Sequence, residues 1–178
     1  GKVLPETLKE VENMERLVKE ILTISKIEMD GLAGKAESVP LPDTLAKVTE
    51  TLLPLAQERQ ITVHPQLAGD VTVSGNVSLL EKAIHNILSN AIRHSPEGAE
   101  VFIHLTPSSL TVTNTGTSIP EEDLPVLFTP FYRVEKSRNK STGGSGLGLY
   151  LVKTILELHG FQYRLNNTET GVMFTVEF

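Results

Sequence analysis

The 178-residue chain contains no cysteine, which removes disulfides and thiolate metal sites together. That absence fits a reducing compartment. His-x-x-x-His spacing and carboxylate clusters are lacking too, so no dedicated transition-metal site is expected. No apolar run approaches the roughly 18 residues needed to span a bilayer, and no signal peptide opens the chain. Gly1 in place of an initiator methionine points to a fragment, so neither absence extends to the parent protein. Basic clusters are scarce: 16 Lys and Arg against 22 Asp and Glu give a net charge of −6, with the only small cationic group between Arg133 and Lys140. A nucleic-acid groove is therefore disfavoured. With 39% hydrophobic residues, the chain can bury one substantial core and carry an appended element.

From Leu4 to Met29, Leu8, Val11, Met14, Leu17, Val18, Ile21, Leu22 and Ile24 recur at three- and four-residue intervals, the pattern of an amphipathic helix. Leu4, Val11 and Val18 with Met14 and Ile21 form a short heptad seam, interrupted by Thr7 and Ser25. The helix can pair with a second helix or chain, or pack on its own domain. MDGLAGKAESVPLP, residues 29–42, reads as a linker, set at 31–40 in the domain division, and favours pairing. A helix over 41–59 follows, with Asp43 at its start. ITVHPQL and VTVSG, separated by Gly69-Asp70, read as a hairpin. EVFIHLT and SLTVTNTG read as a second, and FQYRLNN with GVMFTVEF as a closing one. EEDLPVLFTPFYR is too short and proline-broken for a long helix, and VEKSRNKSTGGSG reads as a mobile loop.

Two stretches carry chemistry. In the helix VSLLEKAIHNILSNAIRH, Leu80, Ala83, Ile84, Ile87, Leu88 and Ala91 form an apolar face, beside which Lys82, Asn86, Asn90 and Arg93 make a polar strip. Asparagine in mid-helix costs up to about 0.7 kcal/mol against alanine, so two of them stacked four apart invite a functional reading as well as that of a solvated face. GGSGLGL then runs into LYLVKTILELHG, whose Leu147, Leu151, Ile155 and Leu158 share a helical face. Backbone without Cβ atoms can lie close to a ligand, and the helix start offers unpaired N–H groups and a positive dipole end. The pattern suits a phosphate cradle, although a flexible turn before a helix would look the same.

NILSNA, NTGTSIP, LFTPFYR and GGSGLGL, in that order, resemble the ATP-binding domain of sensor histidine kinases, within the wider family that includes gyrase, the Hsp90 chaperones and MutL. The resemblance covers residues 41–178. Residues 1–30 resemble the second helix of the dimerisation and histidine-phosphotransfer domain. NTG and FYRVEKSRNKSTGGSGLGL look like Gram-positive sensors of the vancomycin-resistance type. The family implies a two-layer α/β sandwich of the Bergerat type, a mixed sheet packed on helices, here preceded by an amphipathic helical arm. It implies an ATP-dependent protein-histidine kinase. Carried over by position, Asn90 would hold Mg²⁺ through its side-chain oxygen with Asn86 assisting. Arg93 and His94 would contact phosphate. Thr115 and Gly116 would line the adenine pocket, with Asn114 at the family's adenine-binding aspartate. Arg133, with Lys136 or Arg138, would steady the γ-phosphate, while Gly144, Gly146, Leu147 and Gly148 give N–H groups. Phe128 and Phe131 would pack the base of a lid.

Where hydrolytic relatives have a glutamate that activates water, this chain has Asn86, which cannot take a proton. The γ-phosphoryl group should therefore await a histidine. His64, His85, His94, His104 and His159 all lie within the nucleotide-binding body, outside the phosphoacceptor context, so the acceptor is expected on a missing dimerisation helix. His159 closes a helix, where a cation is welcome. The expected partners are that helix, a dimer mate and a response regulator. The expected setting is the cytoplasmic part of a membrane-anchored bacterial sensor. A serine-directed kinase of the same fold and a degenerate nucleotide sensor are the competing readings.

Two positions depart from the family: Val172, where a threonine often stands, and Asn114. Charged hydrogen bonds contribute about 1.5–3 kcal/mol against roughly 1 for neutral ones. Asn114→Asp is therefore expected to tighten ATP binding several-fold in calorimetric titration; unchanged or weaker affinity would contradict this reading.

Overall fold

The computed structural model describes residues 4–32, 36–132 and 146–178. Helix α1 (Pro5–Asp30) opens with proline at its first position, where the missing N–H would have had no helical partner. Gly31, at φ +58°, ends it by returning its N–H to the Ile27 carbonyl. Strand β1 (Glu37–Pro40), α2 (Leu41–Glu58), β2 (Thr62–Leu67), β3 (Thr72–Gly75) and α3 (Val77–Arg93) follow. Then come β4 (Glu100–Leu105), β5 (Ser109–Thr115), a 3-10 turn at Leu124–Val126, α4 (Gly148–Leu158), β6 (Gln162–Asn167) and β7 (Gly171–Glu177).

A five-stranded sheet runs β2-β4-β5-β7-β6, parallel between β2 and β4 and antiparallel elsewhere. It is the mixed sheet of the expected two-layer sandwich. Alternation sorts its faces: Val101, Ile103 and Leu105 of β4, Leu110 and Val112 of β5, and Phe174 and Val176 of β7 are buried. They share one core with Leu45, Val48 and Leu52 of α2, the expected apolar face of α3, and Leu151, Val152 and Ile155 of α4. Asn114 is the polar member of the inward row of β5.

Two expectations are corrected. ITVHPQL and VTVSG do not form a hairpin: β2 pairs in parallel with β4, while β3 pairs antiparallel with β1. Alternation says which side chains share a face, not which strand lies alongside. Pro65, without an N–H, is tolerated because β2 is a sheet edge. Residues 37–40, assigned to the linker, supply the partner strand, with Val39 completely buried. A four-residue strand with one buried side chain leaves no periodic signal.

Nor does the linker separate the arm from the body. Leu17, Ile24 and Ile27 join the core, and the Tyr150 hydroxyl reaches the Glu28 carboxylate at 3.5 Å. The heptad seam lies on the other side, with Leu4, Val11, Met14, Val18 and Ile21 all exposed. The helix thus carries two apolar stripes, and each competing reading described one of them. Ile155, at zero exposure where α4 meets the sheet, tests the core: Ile155→Ala is expected to cost about 2–5 kcal/mol in chemical denaturation.

Candidate nucleotide-binding site

A cavity of about 510 Å³ lies where the inner sheet face, α3, the start of α4 and α1 converge. The Asn76 side chain caps α3 by accepting from the Leu79 N–H, and the polar strip of the helix turns toward the cavity. Asn86 donates from Nδ2 to the Gly148 carbonyl at 3.3 Å. Asn90, one turn on, lines the cavity, and among the described residues its amide has no hydrogen-bond partner. A Cβ on Gly148 would lie 3.7 Å from the Asn86 amide nitrogen and 4.0 Å from that of Asn90, so α4 begins directly against the asparagine pair.

Charge gathers at this end. Arg93 lines the cavity, its pKa lowered first by burial and then by the neighbouring Arg16, against an opposing effect of Glu20. His85 is held below its ordinary value mainly by burial; a hydrogen bond to Asn86 and the Glu81 carboxylate oppose this, and the Arg93 charge adds to it. His94, the C-cap of α3, also lines the cavity. Arg59 donates to the Ile92 carbonyl at 3.1 Å and the Ser95 carbonyl at 2.6 Å, tying down the end of α3.

The opposite end is apolar, walled by Val112, Val172, Phe174, Leu165 and Ile119, with Asn114 among them at 6% exposure. Gly116 closes it at φ +81°, so near Pro96 that a Cβ would come within 2.7 Å of the ring. Asn167 clasps Ile119 from both sides, accepting its N–H and donating to its carbonyl, each at 2.8 Å. Tyr132, which also lines the cavity, donates its hydroxyl to Asp123.

Asn86, Asn90, Arg93, His94, Asn114, Gly116, Gly146 and Gly148 are therefore brought together. Other expected site residues are not. Thr115 faces away from Asn114, as alternation requires, and its hydroxyl accepts the Glu100 N–H. Leu147 is buried in the core. Phe128 packs edge-on against Tyr163 and Phe174, at centroid distances of 5.0 and 6.0 Å. Burial and a hydrogen bond to Glu157 raise the Tyr163 pKa. Phe131 is 60% exposed, with φ +64°. Arg133, Lys136, Arg138 and Gly144 lie outside the described residues. His159 closes α4 and also reaches α3: Nε2 accepts the Asn76 N–H at 3.1 Å, and Nδ1 lies 2.7 Å from the Ile155 carbonyl oxygen.

Arg16, Glu20, Arg59 and Tyr132, which line the cavity, were missed. Arg16 and Glu20 stand one turn apart beside the docked stripe of α1. That spacing is the signal, but only for a reader who knows which stripe docks.

The family model for histidine kinase-, DNA gyrase B- and HSP90-like ATPases matches residues 75–178. Sensor protein VanSB of Enterococcus faecalis is 33% identical over 99% of this chain and 40% of its own length. Sensor histidine kinase CusS of Escherichia coli is 33% identical over 98% of this chain and 37% of its own. The chain thus spans about two fifths of these curated relatives. The solved cytoplasmic segment of histidine kinase QseC superposes with a TM-score of 0.67 at 27% identity, covering 94% of this chain and 93% of that one.

Gly146 sits at φ +79°, its carbonyl accepts the Phe131 N–H at 2.8 Å, and a Cβ would meet the Phe131 backbone at 2.7 Å. Gly146→Ala is expected to lose at least about 1–2 kcal/mol from the left-handed backbone alone. It is also expected to weaken nucleotide binding, read by thermal unfolding and titration on the same sample.

Proposed function

The chain belongs to the family of histidine kinase-, DNA gyrase B- and HSP90-like ATPases, and from that footing we propose that it is the ATP-binding kinase part of a two-component sensor histidine kinase. The observation that carries this reading is the joining of four separate stretches at one cavity. Paired asparagines and cations lie at one end, and an apolar slot with one buried amide lies at the other. This division suits a nucleotide, with its flat base in the apolar slot and its phosphates among the asparagines, Arg93 and the backbone of Gly146 and Gly148.

The residues fit a magnesium ion. Asn90 presents an amide oxygen with no partner among the described residues, and a neutral oxygen is a suitable ligand for a hard cation that keeps phosphate and water as its other ligands. Asn90 would hold it, with Asn86 assisting; when bound, the ion supplies charge neutralisation along the triphosphate. Asn86, its amide nitrogen committed to the Gly148 carbonyl, cannot act as a base toward water, which favours transfer over hydrolysis. Arg93 and His94 would bind phosphate, and Arg133 with Lys136 or Arg138 would balance the charge that spreads during transfer.

The acceptor would be a histidine on a dimerisation helix outside these residues. His159 and His64 already have structural partners, the former as described and the latter paired with Glu100 at 3.1 Å. The exposed seam of α1 would serve the paired helix of a homodimer, and the phosphoryl group would pass to a response regulator. Among the described residues no helix is long and apolar enough to cross a membrane; a cytoplasmic position in a membrane-anchored bacterial sensor is part of the proposal.

Calorimetric titration with a non-hydrolysable ATP analogue tests the reading. Binding is expected to weaken about 10- to 100-fold when EDTA replaces Mg²⁺ and on Asn90→Ala, the range typical when a metal site is disturbed. No binding at millimolar ligand would overturn it. The chain incubated alone with ATP is expected to form no stoichiometric phosphohistidine, and to transfer phosphate only when an acceptor helix is supplied.

A further inference from the structure

Asn114 is 94% removed from solvent, stands in the inward row of β5 beyond Leu110 and Val112, and faces the apolar end of the cavity. Its register partners are Val101 on β4 and Val172 on β7, and no hydrogen bond within the described residues engages its amide. Neighbouring polar groups do not constrain it: the Ser95 hydroxyl is spent on the Ala91 carbonyl, and Thr115 points to the other face. The only carboxylate lining the cavity among the described residues is Glu20, on α1. The base end therefore carries one buried, neutral group with both a donor and an acceptor.

The two kinds of purine edge differ by an exchange of roles. A 6-aminopurine donates from its exocyclic amine and accepts at N1, whereas a 6-oxopurine accepts at O6 and donates from N1. A carboxylate only accepts, so it matches the amine and repels the oxo oxygen. An amide that turns half a revolution about its last bond presents its oxygen and NH₂ in either order. Resting on the nucleotide reading above, we propose that Asn114 makes this site permissive at purine position 6, so that it takes inosine nucleotides as well as ATP. Flat apolar walls add no discrimination, because both rings are the same size, and a buried polar group rejects a ligand only when left without a partner.

The test is competition of Mg·ATP and Mg·ITP against a fluorescent trinitrophenyl-adenosine nucleotide on the 178-residue chain. ITP differs from ATP only at position 6 and the N1 proton. The two dissociation constants are expected to agree within about tenfold; a larger preference for ATP overturns the proposal. Asn114→Asp is expected to raise the preference for ATP beyond about tenfold, and a folded variant, checked by circular dichroism, that treats both alike removes Asn114 as the reader. Should the aspartate variant fail to fold, the wild-type ratio decides alone. If neither nucleotide displaces a bound probe, or the probe does not bind, the nucleotide reading itself falls and takes this proposal with it.

Discussion

Helices α3 and α4 lie side by side on the sheet, and the cavity depends on how closely the glycine backbone at the start of α4 approaches the polar strip of α3. The Asn86 amide spans that gap to the Gly148 carbonyl. A Cβ at 146 would push the segment before α4 away from the Phe131 backbone, while one at 148 would already rest in van der Waals contact with the asparagine amides. At their other ends the same helices are joined by His159, which receives the Asn76 N–H at the first turn of α3 and closes α4 on itself. Each end is thus fastened by a side chain of one helix bonded to the backbone of the other.

The electrostatics follow from this packing. A chain of net charge −6 presents a cavity rimmed by Arg16, Arg59 and Arg93 with Glu20 as the counter-charge. Burial and Arg16 make the Arg93 cation less comfortable than it would be in water, and an anionic ligand relieves that. Arg59 is held by the carbonyls that end α3, so its charge both completes the helix and faces the cavity. The opposite end has no fixed charge among the described residues, and recognition there rests on shape and on a single amide. Charged and apolar lining are thus separated along the cavity, the division on which the proposed nucleotide reading rests.

The arm has two lives in one helix. Its Leu17, Ile24 and Ile27 stripe docks on the body and carries Arg16 and Glu20 to the cavity rim, while its heptad stripe stays exposed. A partner bound to the exposed stripe would act on the same rigid rod that reaches the rim.

Much of this was determined locally, by the amino-acid order alone. The 3.6-residue and two-residue periods located the helices, most strands and the inward row of the sheet, because burial of one face imposes them on each element separately. The asparagine pair and the glycine run were legible for the same reason: unusual residues inside a regular pattern. Thr115 could have been placed from alternation alone, since it stands one residue from Asn114. The tertiary structure decided the rest: β1 as partner of β3, the parallel pairing of β2 with β4, which stripe of α1 docks, and the recruitment of Arg16, Glu20 and Arg59 to the cavity. Backbone hydrogen-bonding groups are alike at every residue, and many neighbours can cover an apolar stripe. A pattern therefore states what an element must bury, and only the closed core selects what buries it.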